Sequence, residues 1–169
     1  MPVRLPRPVI RRPLEYLIPA LALTLWSLCG AEPARAVKIM DYNILNFPSA
    51  TGAAREDEFR TILAAVHPDV LVVQEVTGTT NAGMNQFLAN VLNTQFPGEY
   101  AAGDWIHGSD TNNALYYRTA AFDYISADTI GTPLRAIHHF VLRPDGYASS
   151  TANLHVYSAH LKASATQAD

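Results

Sequence analysis

The segment from residue 69 to 75 constrains the fold more than any other part of the chain. It reads DVLVVQE, four apolar residues in an unbroken run between an aspartate and a Gln-Glu pair. A strand with one wet face alternates apolar and polar residues; a continuous apolar run belongs to a strand buried on both faces. Pro68, just before it, cannot continue a helix. Residues 53–66 place Phe59, Ile62, Leu63 and Val66 at helical spacing, which predicts an amphipathic helix leading into this strand.

The neighbouring segments extend the pattern. Residues 37–45 (VKIMDYNIL) read as a strand and 48–52 as a loop. A second helix is predicted around 82–95, with Met84, Phe87, Leu88, Val91 and Leu92 on one face, ended by Pro97-Gly98. Beyond it, residues 114–117, 122–125, 136–142 and 153–159 are short, rich in β-branched or aromatic residues and separated by turn residues. Pro144-Asp145-Gly146 supplies turn chemistry between the last two, which predicts an antiparallel pair. Strand-helix-strand followed by a strand-rich section defines the fold class as α/β (α+β), with sheets covered by helices.

The first 36 residues differ in character. Arg4, Arg7, Arg11, Arg12 and Arg35 stand against Glu15 and Glu32, an apolar run LIPALALTLWSLCG fills 17–30, and Ala34-Arg35-Ala36 follows. A basic start, a short apolar stretch and an A-x-A site describe a secretory signal peptide. The run is shorter than the roughly 20 residues of a membrane span; an uncleaved anchor is the alternative. Arg11-Arg12 resembles a twin-arginine signal only poorly, given Pro13 and Glu15, and Leu28 is large for a lipid-attachment site at Cys29. The expectation is export, to the periplasm or the medium, of a domain spanning 37–169. That domain keeps seven basic residues against thirteen acidic ones and has no cysteine. Thiol catalysis, disulfides and cysteine zinc sites are therefore excluded, and the acidic balance argues against a stable nucleic-acid complex.

Three polar sites interrupt otherwise apolar strands. Asp41 and Asn43 lie two apart and so share a face. Glu75 stands where a strand's carboxyl end would present it to a cleft. His160 ends the last strand. A carboxylate with an amide oxygen suits magnesium or another hard cation, and a histidine opposite can hydrogen-bond a phosphoryl oxygen or move a proton. Each also admits a structural reading: Asn43 satisfying a loop backbone, Glu75 opening a surface turn, His160 capping a strand. The other histidines are expected to be non-catalytic. His138 and His139 are consecutive and face opposite ways, His67 and His107 lie in loops, and His155 points away from His160.

Taken together, VKIMDYNILNF at 37–47, HPDVLVVQEV at 67–76, NNALYYR at 112–118 and NLHVYSAHLKAS at 153–164 make the chain resemble the endonuclease/exonuclease/phosphatase superfamily. The resemblance implies a deoxyribonuclease I-like four-layer sandwich, two β-sheets between helical layers, of which this chain is the N-terminal half. It implies that Glu75 is the direct magnesium ligand, with Mn2+ or Ca2+ as alternatives, and that Asn43 belongs to the same metal site. Asp41 is either an added carboxylate there or the partner of a strand neighbour. It further implies that His160 contacts the scissile phosphate, and that Arg135, Asn113 and a tyrosine at 116 or 117 (Tyr117 in the first instance) bind substrate. The implied activity is endonuclease-like phosphodiester hydrolysis on DNA or RNA, by in-line attack of an activated water.

The departures from the family pattern are equally specific. The resemblance also implies, in the family's other half-site, an Asp-x-Asn motif and a C-terminal Asp-His pair that activate the water; after Asp145 this sequence has only Asp169 as a carboxylate, and after His160 it has no histidine. The expectation is therefore a truncated product. Alternatives are a phosphatase- or phospholipase-type relative acting on headgroups or small phosphate esters, or a catalytically incomplete remnant.

Overall fold

The computed structural model describes residues 36–49 and 52–161, and every element named below belongs to the unit Val37–Asp169. The signal-peptide expectation lies outside the described residues. Strand β1 (Ile39–Phe47) is followed by a 3-10 turn (Ala53–Arg55), helix α1 (Glu56–Val66) and strand β2 (Val70–Val76). A second helical stretch comprises α2 (Ala82–Gln86), a π-helical segment (Phe87–Leu92) and α3 (Asn93–Gln95). Then come β3 (Tyr100–Ala102), β4 (Asn112–Arg118), β5 (Phe122–Ile130), β6 (Ile137–Pro144) and β7 (Leu154–Ser158).

Two sheets result, one ordered β1-β2-β4-β3 and one ordered β5-β6-β7. Strands β1 and β2 are parallel; parallel neighbours need a crossover, and α1 supplies it. All other pairings are antiparallel, including the β6-β7 pair predicted from the Pro-Asp-Gly turn. This is the mixed α/β architecture expected, two sheets with helices against one of them.

The apolar run of β2 explains the layering. Leu71 and Val73 point to the helices, where they pack with Ile44, Phe47, Phe59, Leu63, Phe87 and Tyr116. Val70 and Val72 point the other way, into a second cluster with Leu115, Phe140, Leu142 and Val156 between the sheets. The aromatic rings on the helical side meet edge-on, Phe47 with Phe87 at 5.2 Å and 90°, an arrangement favoured by ring quadrupoles.

Some expectations are modified. In α1 only Phe59 and Leu63 are buried; Ile62 and Val66 stay exposed, because the helix meets the sheet along a narrow stripe. In the second stretch Leu88 is only partly buried, and the wider π-helical turns bring Phe87, Val91 and Leu92 inward together. Strand β3 is too short to be read from its three residues. Strand β5 runs five residues past its predicted end, through Ser126, Asp128 and Thr129, whose polarity reflects an exposed strand.

At the amino end of β2 an ion cluster built on the buried Asp69 ties the sheet together. Asp69, 3% exposed, accepts the Lys38 backbone N–H at 2.9 Å and the Arg118 guanidinium at 3.0 Å. Arg118 also donates to Glu99 at 3.1 Å, and Glu99 meets His67 at 3.1 Å. One carboxylate thus joins the starts of β1 and β2 to the end of β4. Replacing the buried Asp69 by Ala leaves the half-buried Arg118 guanidinium with Glu99 and takes the acceptor from the Lys38 N–H; we expect a loss of about 1–3 kcal/mol, read as a lower urea midpoint.

Candidate active site

At the opposite end of β2 the backbone departs from regular pairing. Between the pairs Val73–Ala114 and Val76–Asn112, two residues of β2, Gln74 and Glu75, face the single residue Asn113. This is a β-bulge, which bends a strand and re-aims a side chain. Glu75 has φ 64°, in the left-handed region, a conformation that costs a non-glycine residue about 1–2 kcal/mol. On β1 the pairing slips too, between Asn43 and Phe47, with Leu45 and Asn46 also left-handed at φ 47° and 53°. Asn43 Oδ1 accepts the Leu45 N–H at 2.9 Å, an Asx turn that holds this bend.

The two irregularities bring three segments together. Asn43 Nδ2 donates to Glu75 Oε1 at 2.9 Å. His160, two residues past β7, places Nε2 at 3.4 Å from the same oxygen. Thr111 Oγ1 lies 3.4 Å from His160 Nδ1, a long contact on the ring's other side. The side chains of Glu75 and His160 are mostly buried, at 18% and 14% exposure. A proton on Nε2, donated toward Glu75, leaves Nδ1 to accept from Thr111.

The remaining expected residues divide. Arg135 lines the same small cavity as His160, Thr111 and Asn113, and its guanidinium donates to Asp110 at 2.5 Å and to the Leu161 carbonyl at 3.4 Å. Asn113 is also there, but its amide donates to the Ser158 carbonyl at 3.1 Å, tying the two sheets. Asp41 accepts from the Gln74 side chain; of its two readings, the strand-neighbour one matches the geometry. Tyr117 is not brought to the cluster. It pairs with Val70 at the far end of β2 and stacks on Tyr124 at 6.1 Å. Tyr116 is buried on the helical side, its hydroxyl donating to the Met84 carbonyl at 3.0 Å. Both tyrosines are structural because the site lies at the other end of the antiparallel partner strand.

Whether these residues fit a hard cation follows from their hydrogen bonds. Asn43 turns its amide group toward Glu75 and gives its oxygen to Leu45, so it orients the carboxylate. The contacts from Asn43 and His160 both fall on Oε1. One carboxylate, with water and a substrate phosphate, is a donor set that magnesium accepts. Among the described residues no group of three His, Cys, Asp or Glu side chains could hold an ion by itself.

Several organising residues carried no sequence signal beyond their polarity. Asn112 is fully buried; its amide donates to the Val76 and Gly78 carbonyls at 2.8 and 2.9 Å, and its oxygen accepts the Gly108 N–H at 2.7 Å. It clamps the loops on either side of Glu75. A Cβ at Gly108 would fall 2.5 Å from the Thr111 carbonyl oxygen, so this approach requires glycine. His138, expected to be non-catalytic, is 2% exposed and lines the cavity beside His160, with no hydrogen-bond partner for Nδ1 among the described residues. Burial pushes its pKa below the usual histidine value, while the Asn113 backbone carbonyl acts in the other direction.

A bulged strand end presenting a glutamate, clasped by an asparagine and faced by a histidine between two sheets, is an arrangement suited to phosphate-ester chemistry. The chain belongs to the endonuclease/exonuclease/phosphatase family, which matches residues 42–166. Solved structures resemble it at the level of the fold. Zebrafish (D. rerio) TDP2 complexed with a single-stranded DNA product has a TM-score of 0.56 and 15% identity, over 78% of this chain and 48% of that one. ANGEL2, a 2',3'-cyclic phosphatase in complex with adenosine-2',3'-vanadate, has a TM-score of 0.53 and 17% identity, over 75% and 41%. The human Nocturnin catalytic domain with bound sulfate has a TM-score of 0.53 and 18% identity, over 77% and 52%. The chain spans about half the length of these structures. No curated protein sequence matches it.

Two measurements test this geometry. If the left-handed backbone at Glu75 is strained, Glu75→Gly is more stable than Glu75→Ala by about 1 kcal/mol, in paired denaturant melts; equal midpoints would remove the strain. A buried histidine with a lowered pKa binds fewer protons folded than unfolded. Stability is then full above the ordinary value near 6.5 and falls as pH drops below it. The melting temperature of the native chain should therefore fall more between pH 7.5 and 5.5 than that of His138→Leu.

Proposed function

We propose that this chain belongs to an exported, metal-dependent hydrolase that cleaves phosphodiester bonds in the manner of an endonuclease. The observation that carries this reading is the convergence of Asn43, Glu75 and His160, from three separate segments, on one carboxylate oxygen. Magnesium held on Glu75 would supply a Lewis acid for the developing phosphoryl charge. Asn43 fixes the carboxylate's rotamer. His160 holds a proton on Nε2, and a phosphoryl oxygen entering the site would take the donor that Glu75 now accepts. Arg135, beside the same cavity, offers a second cationic contact. The reaction is in-line attack of water on phosphorus, with alcohol as leaving group. Export rests on the basic-apolar-A-x-A pattern of residues 1–36; no described helix is long and apolar enough to cross a membrane.

One observation favours a second substrate class within the same chemistry. Arg135 is paired with Asp110, which offsets the positive charge that would attach a nucleic-acid backbone and so leaves room for a small phosphate ester as substrate.

Incubating the chain with supercoiled plasmid and magnesium distinguishes these readings. We expect nicking that chelator abolishes and that falls at least a hundredfold in Glu75→Gln and ten- to a hundredfold in Asn43→Ala. Nicking indifferent to chelator and to Glu75→Gln overturns the assignment. Turnover of a small phosphodiester with the plasmid left intact selects the second substrate class.

A further inference from the structure

The outer face of the β5-β6-β7 sheet, opposite the side on which His138 and Ser158 are buried, carries a cluster that the proposed function does not use. Asp128, His139 and Tyr157 stand directly across from one another on three neighbouring strands. His155 lies diagonal to His139, since its own partner is Val141. Consecutive histidines 138 and 139 do face opposite ways, but His139 finds a partner across the strand that linear spacing does not show.

Asp128 Oδ1 is 2.9 Å from His139 Nδ1. An ionised carboxylate only accepts, so Nδ1 carries the proton and Nε2 keeps its lone pair. That lone pair faces His155 Nδ1 at 2.9 Å. The two rings are 11° from parallel with centroids 5.1 Å apart. With nitrogens only 2.9 Å apart, the rings therefore lie edge to edge in nearly one plane. Tyr157 stacks face-on against His139 at 4.4 Å and 8°, which restrains the ring.

We propose that His139 Nε2 and His155 Nδ1 form a bidentate site for a borderline divalent transition metal, Zn2+ or Cu2+. Imidazole nitrogen suits these ions, whereas magnesium prefers oxygen. A carboxylate on the far nitrogen of a ligating histidine fixes its tautomer and raises its basicity, and Asp128 occupies that position. On binding, His155 moves its proton from Nδ1 to Nε2, so both facing nitrogens present lone pairs and no proton is lost. Two bonds of about 2.0–2.1 Å at a tetrahedral angle need nitrogens roughly 3.3 Å apart and lone pairs aimed at one apex; the facing nitrogens therefore separate by a few tenths of an ångström and the exposed His155 ring turns out of the common plane, while Asp128 and Tyr157 hold the His139 ring. Among the described residues no third His, Cys, Asp or Glu converges on the point; water would complete the coordination on the side of the exposed His155. The site is separate from Glu75 and does not depend on the proposed hydrolysis.

Calorimetric titration of the chain with Zn2+ or Cu2+ tests this directly. We expect a saturable site, distinct from any at Glu75, that binds Cu2+ more tightly than Zn2+. It should be lost in His155→Ala, weakened ten- to a hundredfold in Asp128→Asn and unchanged in Glu75→Gln. In the native chain, Zn2+ should shift the imidazole nitrogen resonances of His139 and His155, a measurement that needs no variant. Absence of saturable binding, full binding in His155→Ala, affinity unchanged in Asp128→Asn, or shifts confined to His138 and His160 each overturns the proposal.

Discussion

The whole architecture depends on burying one short strand on both faces. Four apolar residues of β2 remove both of its surfaces from water, and each surface needs its own cover. The helices supply one and the β5-β6-β7 sheet supplies the other. At about 25 cal/mol per Å2 of apolar surface buried, leaving either face open would forfeit several kcal/mol for each pair of side chains. The layers are therefore a consequence of β2 before they are a feature of any site.

The two ends of that strand are treated in opposite ways. Asp69, at the start, is fully engaged by a guanidinium and a backbone N–H, and it fixes three strands in register. Glu75, at the finish, sits in a left-handed bulge and is held by side chains from two other segments. Strained backbone of this kind persists only where its surroundings over-determine it, and Asn112 with its three loop contacts is part of that surround. A stable end and a strained end on one strand separate what holds the fold from what presents a reactive group.

The second sheet divides its labour by face. Its inner side closes the core with Phe140, Leu142 and Val156 and places His138 beneath His160's cavity. Its outer side holds a hydrogen-bonded carboxylate and two imidazoles. Strand alternation makes such independence possible, because residues one apart on β6 serve different surfaces.

The sequence by itself determined the elements and the polar interruptions: apolar runs and helical spacing mark β1, α1, β2 and the second helix, and Asn43, Glu75 and His160 stand out as polar groups where strands should be apolar. It also placed Asp41 and Asn43 on one face. Only the tertiary structure decided who meets whom. Asp41 went to Gln74, the tyrosines went to the core and its far end, and His139 joined His155, because register, bulges and antiparallel direction are set by pairing across the sheet. Those are contacts between residues many positions apart, and local pattern carries no record of them.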